Sequence, residues 1–258
     1  AEDVPGERYT GLIVPDWPLM IARGEITRYV GDVLAVVVAD AEKTARHAAQ
    51  QIKVSYEVLA CVDDVHKAIE PGSIQVHPGR DNVLENCHIR NGDTDKAFSE
   101  AAWVSEGVFQ TQRIEHAFLE VESALALPEK GGLRLYSQGQ GVYVARRGVA
   151  AILGLDQQRI RVTQVPNGGG FGGKEDLSVQ GHVSLCAWLL QKPVRLKLSR
   201  EESIRMHPKR HPVWMKMALA ADKNGKLTGL RLKALGDTGA YASVGTKVME
   251  RVVGHASG

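Results

Sequence analysis

The segment that most constrains this chain is Pro166-Asn167-Gly168-Gly169-Gly170-Phe171-Gly172-Gly173-Lys174-Glu175. Five of the six residues from Gly168 to Gly173 are glycine, so backbone N–H groups there can approach a ligand with no side chain in the way. Ahead of it, Gln158 to Val165 alternates Ile160 and Val162 with charged or polar neighbours, the pattern of a strand. Behind it, Glu175 to Leu190 carries Leu177, Val183, Cys186, Leu189 and Leu190, the apolar face of a helix. Such a loop suits a phosphate or another anionic, oxygen-rich ligand, with the helix N-terminus adding free N–H groups and the positive end of its dipole. This places Glu175 in a first helical turn, held as an anion, and leaves Phe171 as the one bulky ring among the glycines, placed to wall a ligand or to bury locally. A glycine-rich stretch can also be only a sharp turn, and an acid in a first turn can be only a favourable cap.

A nucleotide-binding P-loop is the first test of the pattern. Gly168-x-x-x-x-Gly173-Lys174 fits seven positions, but the eighth, which needs a Ser or Thr hydroxyl for magnesium, is Glu175. A carboxylate there repels a γ-phosphate, so the match fails where the chemistry sits.

Residues 33–38 form a continuous apolar run, Asp40 is positioned to cap a helix reaching Gln51, and Ile52 to Val58 is β-branched. This predicts a strand–helix–strand unit. Residues 60–84 hold Pro71-Gly72 and Pro78-Gly79 and read as irregular. Further on, the expected elements are a short helix over 93–102 and strands over 103–110 and 121–127. A helix from Val142 to Leu153 ends at Gly154, and a strand covers 193–199. A hairpin is expected across Asp222-Lys223-Asn224-Gly225. The class is α+β. At roughly 150 residues per domain, 258 residues suggest about two domains.

Composition narrows the function classes. A formal charge of +2 without a long basic run gives no support for nucleic-acid binding. No apolar run approaches ~18 residues, so no membrane span is expected. The acidic start lacks a signal peptide's features, and Cys61, Cys87 and Cys186 make no CxxC pair. Reduced thiols in the cytoplasm are the expectation. His207 and His211 stand four apart, but Pro208 and Pro212 keep them off one helical face, so a solvated loop is favoured over zinc. His116 reads as a packed core histidine, and Cys186 as core filling. No Gly-x-Ser-x-Gly elbow occurs, which counts against an α/β-hydrolase.

Gly168-Gly-Gly-Phe-Gly-Gly-Lys-Glu175 resembles the signature of the molybdenum hydroxylases, the xanthine dehydrogenase and aldehyde oxidase family. Other segments resemble that family in the expected order: Tyr29-Val-Gly-Asp32, Glu115-His-Ala-Phe-Leu-Glu120, Ser199-Arg-Glu-Glu-Ser203, Lys209-Arg-His-Pro212 and Gly236-Asp-Thr-Gly-Ala-Tyr241. The variants Ser137-Gln-Gly-Gln-Gly141 and Pro166-Asn167 look most like its selenium-dependent xanthine dehydrogenase branch.

The resemblance implies the later part of an α/β hammerhead domain over 1–66, a linker over 67–84, and the first part of a molybdopterin-binding α+β domain over 85–258. It implies a molybdenum–molybdopterin cytosine dinucleotide against Gln140, Gly170, Phe171 and Gly172, with Gln140 and Phe171 beside the metal and Glu175 on a purine substrate. The local sequence leaves Gln138 as an alternative to Gln140, and counting back from Leu153-Gly154 favours Gln140. It also implies hydroxylation of a purine, a related N-heterocycle or an aldehyde, with water as the oxygen source. Electrons would pass to iron–sulfur and FAD groups on partner domains or subunits, because three scattered cysteines cannot hold a cluster. No catalytic base is expected before Gly258. With no initiator methionine and no closing element, the chain is expected to be an internal piece, inactive alone. The other readings are a P-loop-like nucleotide module and a non-catalytic scaffold or assembly subunit.

Overall fold

The computed structural model describes residues 1–256; Ser257 and Gly258 lie outside the described residues. In chain order the elements begin with β1 (Tyr9–Thr10), β2 (Trp17–Pro18), α1 (Glu42–Gln50), α2 (Val65–Ala68), α3 (Thr94–Ser99) and β3 (Trp103–Gln110). Next come β4 (Ser123–Glu129), β5 (Gly132–Ser137), α4 (Val142–Leu153), β6 (Ile160–Gln164) and α5 (Gln180–Leu190). The chain continues through β7 (Val194–Lys197), α6 (Arg200–Met206), β8 (Val213–Ala221), β9 (Leu227–Gly236) and α7 (Gly245–Gly254). Two compact units form: Ala1–Leu59 with Glu115–Lys209, and Ala60–Ile114 with Arg210–Gly258. The mixture is α+β, as the sequence pattern implies.

The first unit is built on a four-stranded sheet in the order β6-β5-β4-β7. β5 and β6 run parallel, Leu133 facing Ile160 and Leu135 facing Val162, and α4 is the crossover between them. α4 buries Ala145, Val149, Ile152 and Leu153, spaced i, i+4, i+7, i+8 along one face. It stops at Gly154, whose φ of 62° is the left-handed conformation that glycine adopts without steric cost. Leu133 and Leu135 are fully buried, each contributing about 1.5–3 kcal/mol. α5 is buried over most of its circumference, including Gly181, Val183 and Ser184.

Within α5, His182 lies 2.8 Å through Nε2 from the Leu19 carbonyl and 3.0 Å through Nδ1 from the Ser178 carbonyl. A neutral ring donates to only one of them, and burial holds its pKa below the ordinary histidine value. The unfolded chain therefore takes up a proton that the folded one refuses as pH falls below about 6.5. This stabilisation is complete above that pH and declines below it. Tm measured at pH 7.5 and 5.5 is expected to fall with acid, and His182→Gln to flatten that slope; an unchanged slope counts against it.

The second unit carries the antiparallel sheet β3-β8-β9. At the β8–β9 hairpin the Asp222 carboxylate accepts from the Asn224 and Lys226 N–H groups, at 2.8 and 3.0 Å.

Four expectations are corrected. Residues 33–38 and 52–58 are not strands. Val33 and Val36 pack on the core, while Ile52, Val54, Tyr56 and Val58 are exposed. Apolar runs supply a strand's faces, but a strand also needs a neighbour for its backbone groups, and among the described residues neither run has a ladder. Asp40 is not the cap of α1; Ala41 occupies the N-cap and makes no side-chain cap bond. The helix expected from Glu175 starts at Gln180, because other groups compete for the backbone before it. The Gln180 Oε1 accepts from the Ser178 N–H at 2.8 Å, and the Lys174 carbonyl, which that N–H would meet in a helix, accepts from the Gln140 N–H at 2.8 Å. Finally, His207 is not in a solvated loop: it follows α6 and is buried. Among the described residues no helix is long and apolar enough to cross a membrane.

Candidate functional site

The glycine loop lies in the first unit, between β6 and α5. Because α5 starts at Gln180, its N-terminus is not where the loop ends, and Glu175 lies on exposed loop, not in a first helical turn. Glu175 therefore gains no support from a helix dipole. Backbone N–H groups remain as the loop's own anion-attracting chemistry.

Phe171 has a φ of 52°, and its side chain is 74% exposed. A left-handed phenylalanine costs about 1–3 kcal/mol and persists only where its surroundings impose it. The flanking glycines absorb the turn, Gly169 with φ 101° and Gly172 with φ 90°. The ring is therefore held open to solvent instead of being buried locally, one of its two expected fates.

Gln138 and Gln140 have opposite environments. Gln138 is 2% exposed. Its Nε2 donates to the Val121 carbonyl and, at 3.1 Å, to the Ser123 hydroxyl, while its Oε1 accepts from the Lys174 ammonium. Gln140 is exposed, and its Oε1 accepts from the Gly172 N–H at 3.0 Å and the Lys174 N–H at 3.2 Å. With that oxygen engaged by the loop, the amide nitrogen is the end of Gln140 left to donate to a ligand. A methyl group added at Gly170 would clash with this Oε1, so Gly170 keeps the glutamine in place. Gln140, Gly170 and Gly172 thus converge. Among the described residues the N–H groups of Gly169, Gly170 and Phe171 meet no protein acceptor.

Lys174 points inward. It is 2% exposed, donates to the Glu120 carbonyl at 2.7 Å, and sits 4.3 Å from the centre of the Phe118 ring. Burial lowers its pKa. Its ammonium is consumed inside the protein, so it is not presented to the phosphates of a nucleotide as a P-loop lysine must be.

Beneath the loop lies a charged cluster that sequence reasoning missed. His207 places Nε2 2.7 Å from Glu115 Oε1 and Nδ1 3.2 Å from Glu122 Oε1, ion-pair distances with the ring N–H directions off line. Burial pushes the Glu122 carboxyl up, but His207 and the Ser203 hydroxyl outweigh it and hold it below the ordinary carboxylate range. Glu115 is likewise held low, burial being outweighed by the Ala117 N–H, the Lys209 ammonium and His207. His116 is half-buried, its ring 5.6 Å from that of His207, and burial lowers its pKa. Arg200 ties the segment down, donating to the Phe118 and Leu119 carbonyls at 2.7 and 2.8 Å. The signal for this cluster was Glu122 in an otherwise apolar stretch, since a buried carboxylate needs a partner. No group of three or more His, Cys, Asp or Glu fit for a metal ion occurs among the described residues.

Comparison with known proteins shows the family to which the chain belongs. Residues 76–258 match the family model "Molybdopterin cofactor-binding domain". Residues 1–60 match "Aldehyde oxidase and xanthine dehydrogenase, a/b hammerhead domain". A probable xanthine dehydrogenase subunit of Bacillus subtilis (strain 168) is 35% identical over all of this chain and 34% of its own length. The nicotinate dehydrogenase large molybdopterin subunit of Eubacterium barkeri is 36% identical over 99% of this chain and 60% of its own. Among solved structures, the aldehyde oxidoreductase of Desulfovibrio gigas superposes with a TM-score of 0.87 and 27% identity, covering 97% of this chain and 29% of that one. The chain thus spans a third to three fifths of these two curated relatives. It belongs to the molybdopterin cofactor-binding family of the molybdenum hydroxylases, the xanthine dehydrogenase and aldehyde oxidase group.

Proposed function

We propose that this chain is the molybdopterin-binding portion of an oxidoreductase that hydroxylates a purine or related N-heterocycle, or an aldehyde. The observation that carries the reading is Gln140, fastened through Oε1 to the Gly172 and Lys174 N–H groups beside three further backbone N–H groups at Gly169 to Phe171. The donors fit an oxygen-rich, anionic group, and the glycines leave room for it to approach. Gln140 would hold the cofactor through its amide N–H, Gly170 and Gly172 would admit it to the backbone, and the Phe171 ring would bound it on the solvent side. Glu175, exposed one residue beyond the anchored Lys174, accepts N–H groups of the heterocycle. When bound, the cofactor supplies the redox chemistry, taking two electrons from the substrate carbon while water provides the oxygen.

The cofactor is the molybdopterin cytosine dinucleotide. Electrons leave to iron–sulfur and FAD groups on partner domains or subunits, since Cys61, Cys87 and Cys186 are unpaired and scattered. Those free thiols also favour the cytoplasm. Segment 1–66 serves as hammerhead, 67–84 as linker and 85–258 as cofactor domain. The name of the Eubacterium relative favours an N-heterocycle over an aldehyde.

The test uses the full-length protein purified with its partners. Stoichiometric molybdenum and a cytosine nucleotide released on acid hydrolysis are expected; protein free of both overturns the reading in favour of a scaffold. In the loaded enzyme, Glu175→Ala is expected to raise the purine KM about 10- to 100-fold, the loss of hydrogen bonding to a charged acceptor. An unchanged KM would sink the role assigned to Glu175.

A further inference from the structure

Lys174 has an unusual duty for a lysine in a glycine loop. Its backbone and side chain face opposite ways, and each holds a different part of the site. The backbone pairs reciprocally with Gln140: the Lys174 N–H donates to Gln140 Oε1 at 3.2 Å, and the Gln140 N–H donates to the Lys174 carbonyl at 2.8 Å. The side chain runs inward to the Glu120 carbonyl and Gln138 Oε1, with the Phe118 ring against the ammonium.

Those inner partners also hold the start of the loop. Glu120 accepts the Gly168 N–H on its carboxylate at 2.7 Å and donates its own N–H to the Gly168 carbonyl at 3.2 Å. The Gln138 carbonyl accepts from the Asn167 side chain. One ammonium therefore joins three stretches of chain: 118–120, 138–140 and 167–174. Its hydrogen-bonding demand is met by protein groups, so a ligand has no part in holding it.

We propose that Lys174 is a positioning residue, whose buried ammonium sets the path of the glycine loop and so the places of Gln140 and Glu175. This rests on the molybdopterin-site reading, but its first test does not. Lys174→Met keeps the length and removes charge and donors. Hydrogen exchange is measured on the full-length protein, wild type and variant, with the cofactor removed. The hydrogen-bonded amides of Gly168, Gly172, Gly173 and Lys174 are expected to exchange about tenfold faster or more in the variant, with α4 and α5 unchanged, because the loss is of local stability.

Gln138→Leu removes the ammonium's side-chain acceptor together with the Nε2 bonds to Val121 and Ser123, and is expected to accelerate the same amides. Unchanged exchange at Gly168, Gly172, Gly173 and Lys174 in both variants overturns the proposal. So does acceleration across the whole sheet in both, since Lys174 would then be an ordinary core residue.

In the loaded enzyme, Lys174→Met is expected to raise the substrate KM about tenfold, the scale of one hydrogen bond to a charged group, by displacing Glu175. A fall in kcat with KM unchanged would overturn the link to Glu175. If the wild type carries no molybdenum, the site reading fails while the exchange result still decides whether Lys174 governs the loop.

Discussion

The loaded full-length enzyme carrying Gln140→Glu is expected to lose about 10²–10³-fold in kcat, the scale seen when one preorganised donor is removed from a reacting site. The variant is chosen because of where the two ends of the amide lie. Oε1 is engaged by the Gly172 and Lys174 N–H groups, and a glutamate keeps an acceptor there while losing the N–H that faces a ligand. Loop exchange and molybdenum content should therefore stay near wild type as the rate collapses. Gln140→Ala, which loses both ends, should show the same rate loss together with a looser loop. Gln138→Ala makes the contrast: that side chain is buried and joined to Val121, Ser123 and Lys174, so its loss should first appear as lower Tm. Steady-state kinetics with metal analysis decide the matter, and a Gln140→Glu enzyme with wild-type kcat would end the donor assignment.

The second large effect is structural. Phe118→Ala is expected to destabilise the protein by about 3–5 kcal/mol, as for a large aromatic removed from a core. The ring is fully buried. It lies 4.7 Å from the His207 ring and carries the Lys174 ammonium on its face. Methyl groups added at Gly169 and Gly173 would fall 3.1 and 3.2 Å from its atoms, so the loop rests directly on it. Truncation removes the packing and leaves a buried ammonium and an imidazole facing a void. At about 2–4 °C per kcal/mol for a chain of this size, Tm should fall by roughly 6–20 °C. A shift under about 2 °C would mean that the loop is supported some other way.

Much of the fold was readable from local pattern. β3 spans the alternation at 103–110, α4 follows the apolar spacing of 142–153 to its glycine stop, and the Asp222 turn closes the β8–β9 hairpin where the sequence places it. In each case the signal and the structure share one short stretch of chain. The failures share another cause. Residues 33–38 and 52–58 have the composition of strands, but strand formation depends on a neighbouring backbone that composition does not specify. α5 starts five residues late because the Gln180 side chain takes the Ser178 N–H and the Gln140 N–H, far off in sequence, takes the Lys174 carbonyl, the two groups that a helix entered there would join. His207 reads as solvated from its prolines and is buried because Glu115 and Glu122 are brought to it.

The sequence by itself determined where the backbone is bare, where the turns and periodic elements lie, and, through the order of its motifs, the family. Those depend on glycine's missing Cβ, on side-chain spacing and on residue identity, all local properties. Only the tertiary structure decided which way each side chain around the loop faces: Gln138 and Lys174 inward, Gln140 and Phe171 outward. Neighbouring residues of similar chemistry are separated by what packs against them, because burial and hydrogen-bond partners come from distant segments. The run of glycines marks the place of the candidate site, and the packing beneath it sets which groups face outward.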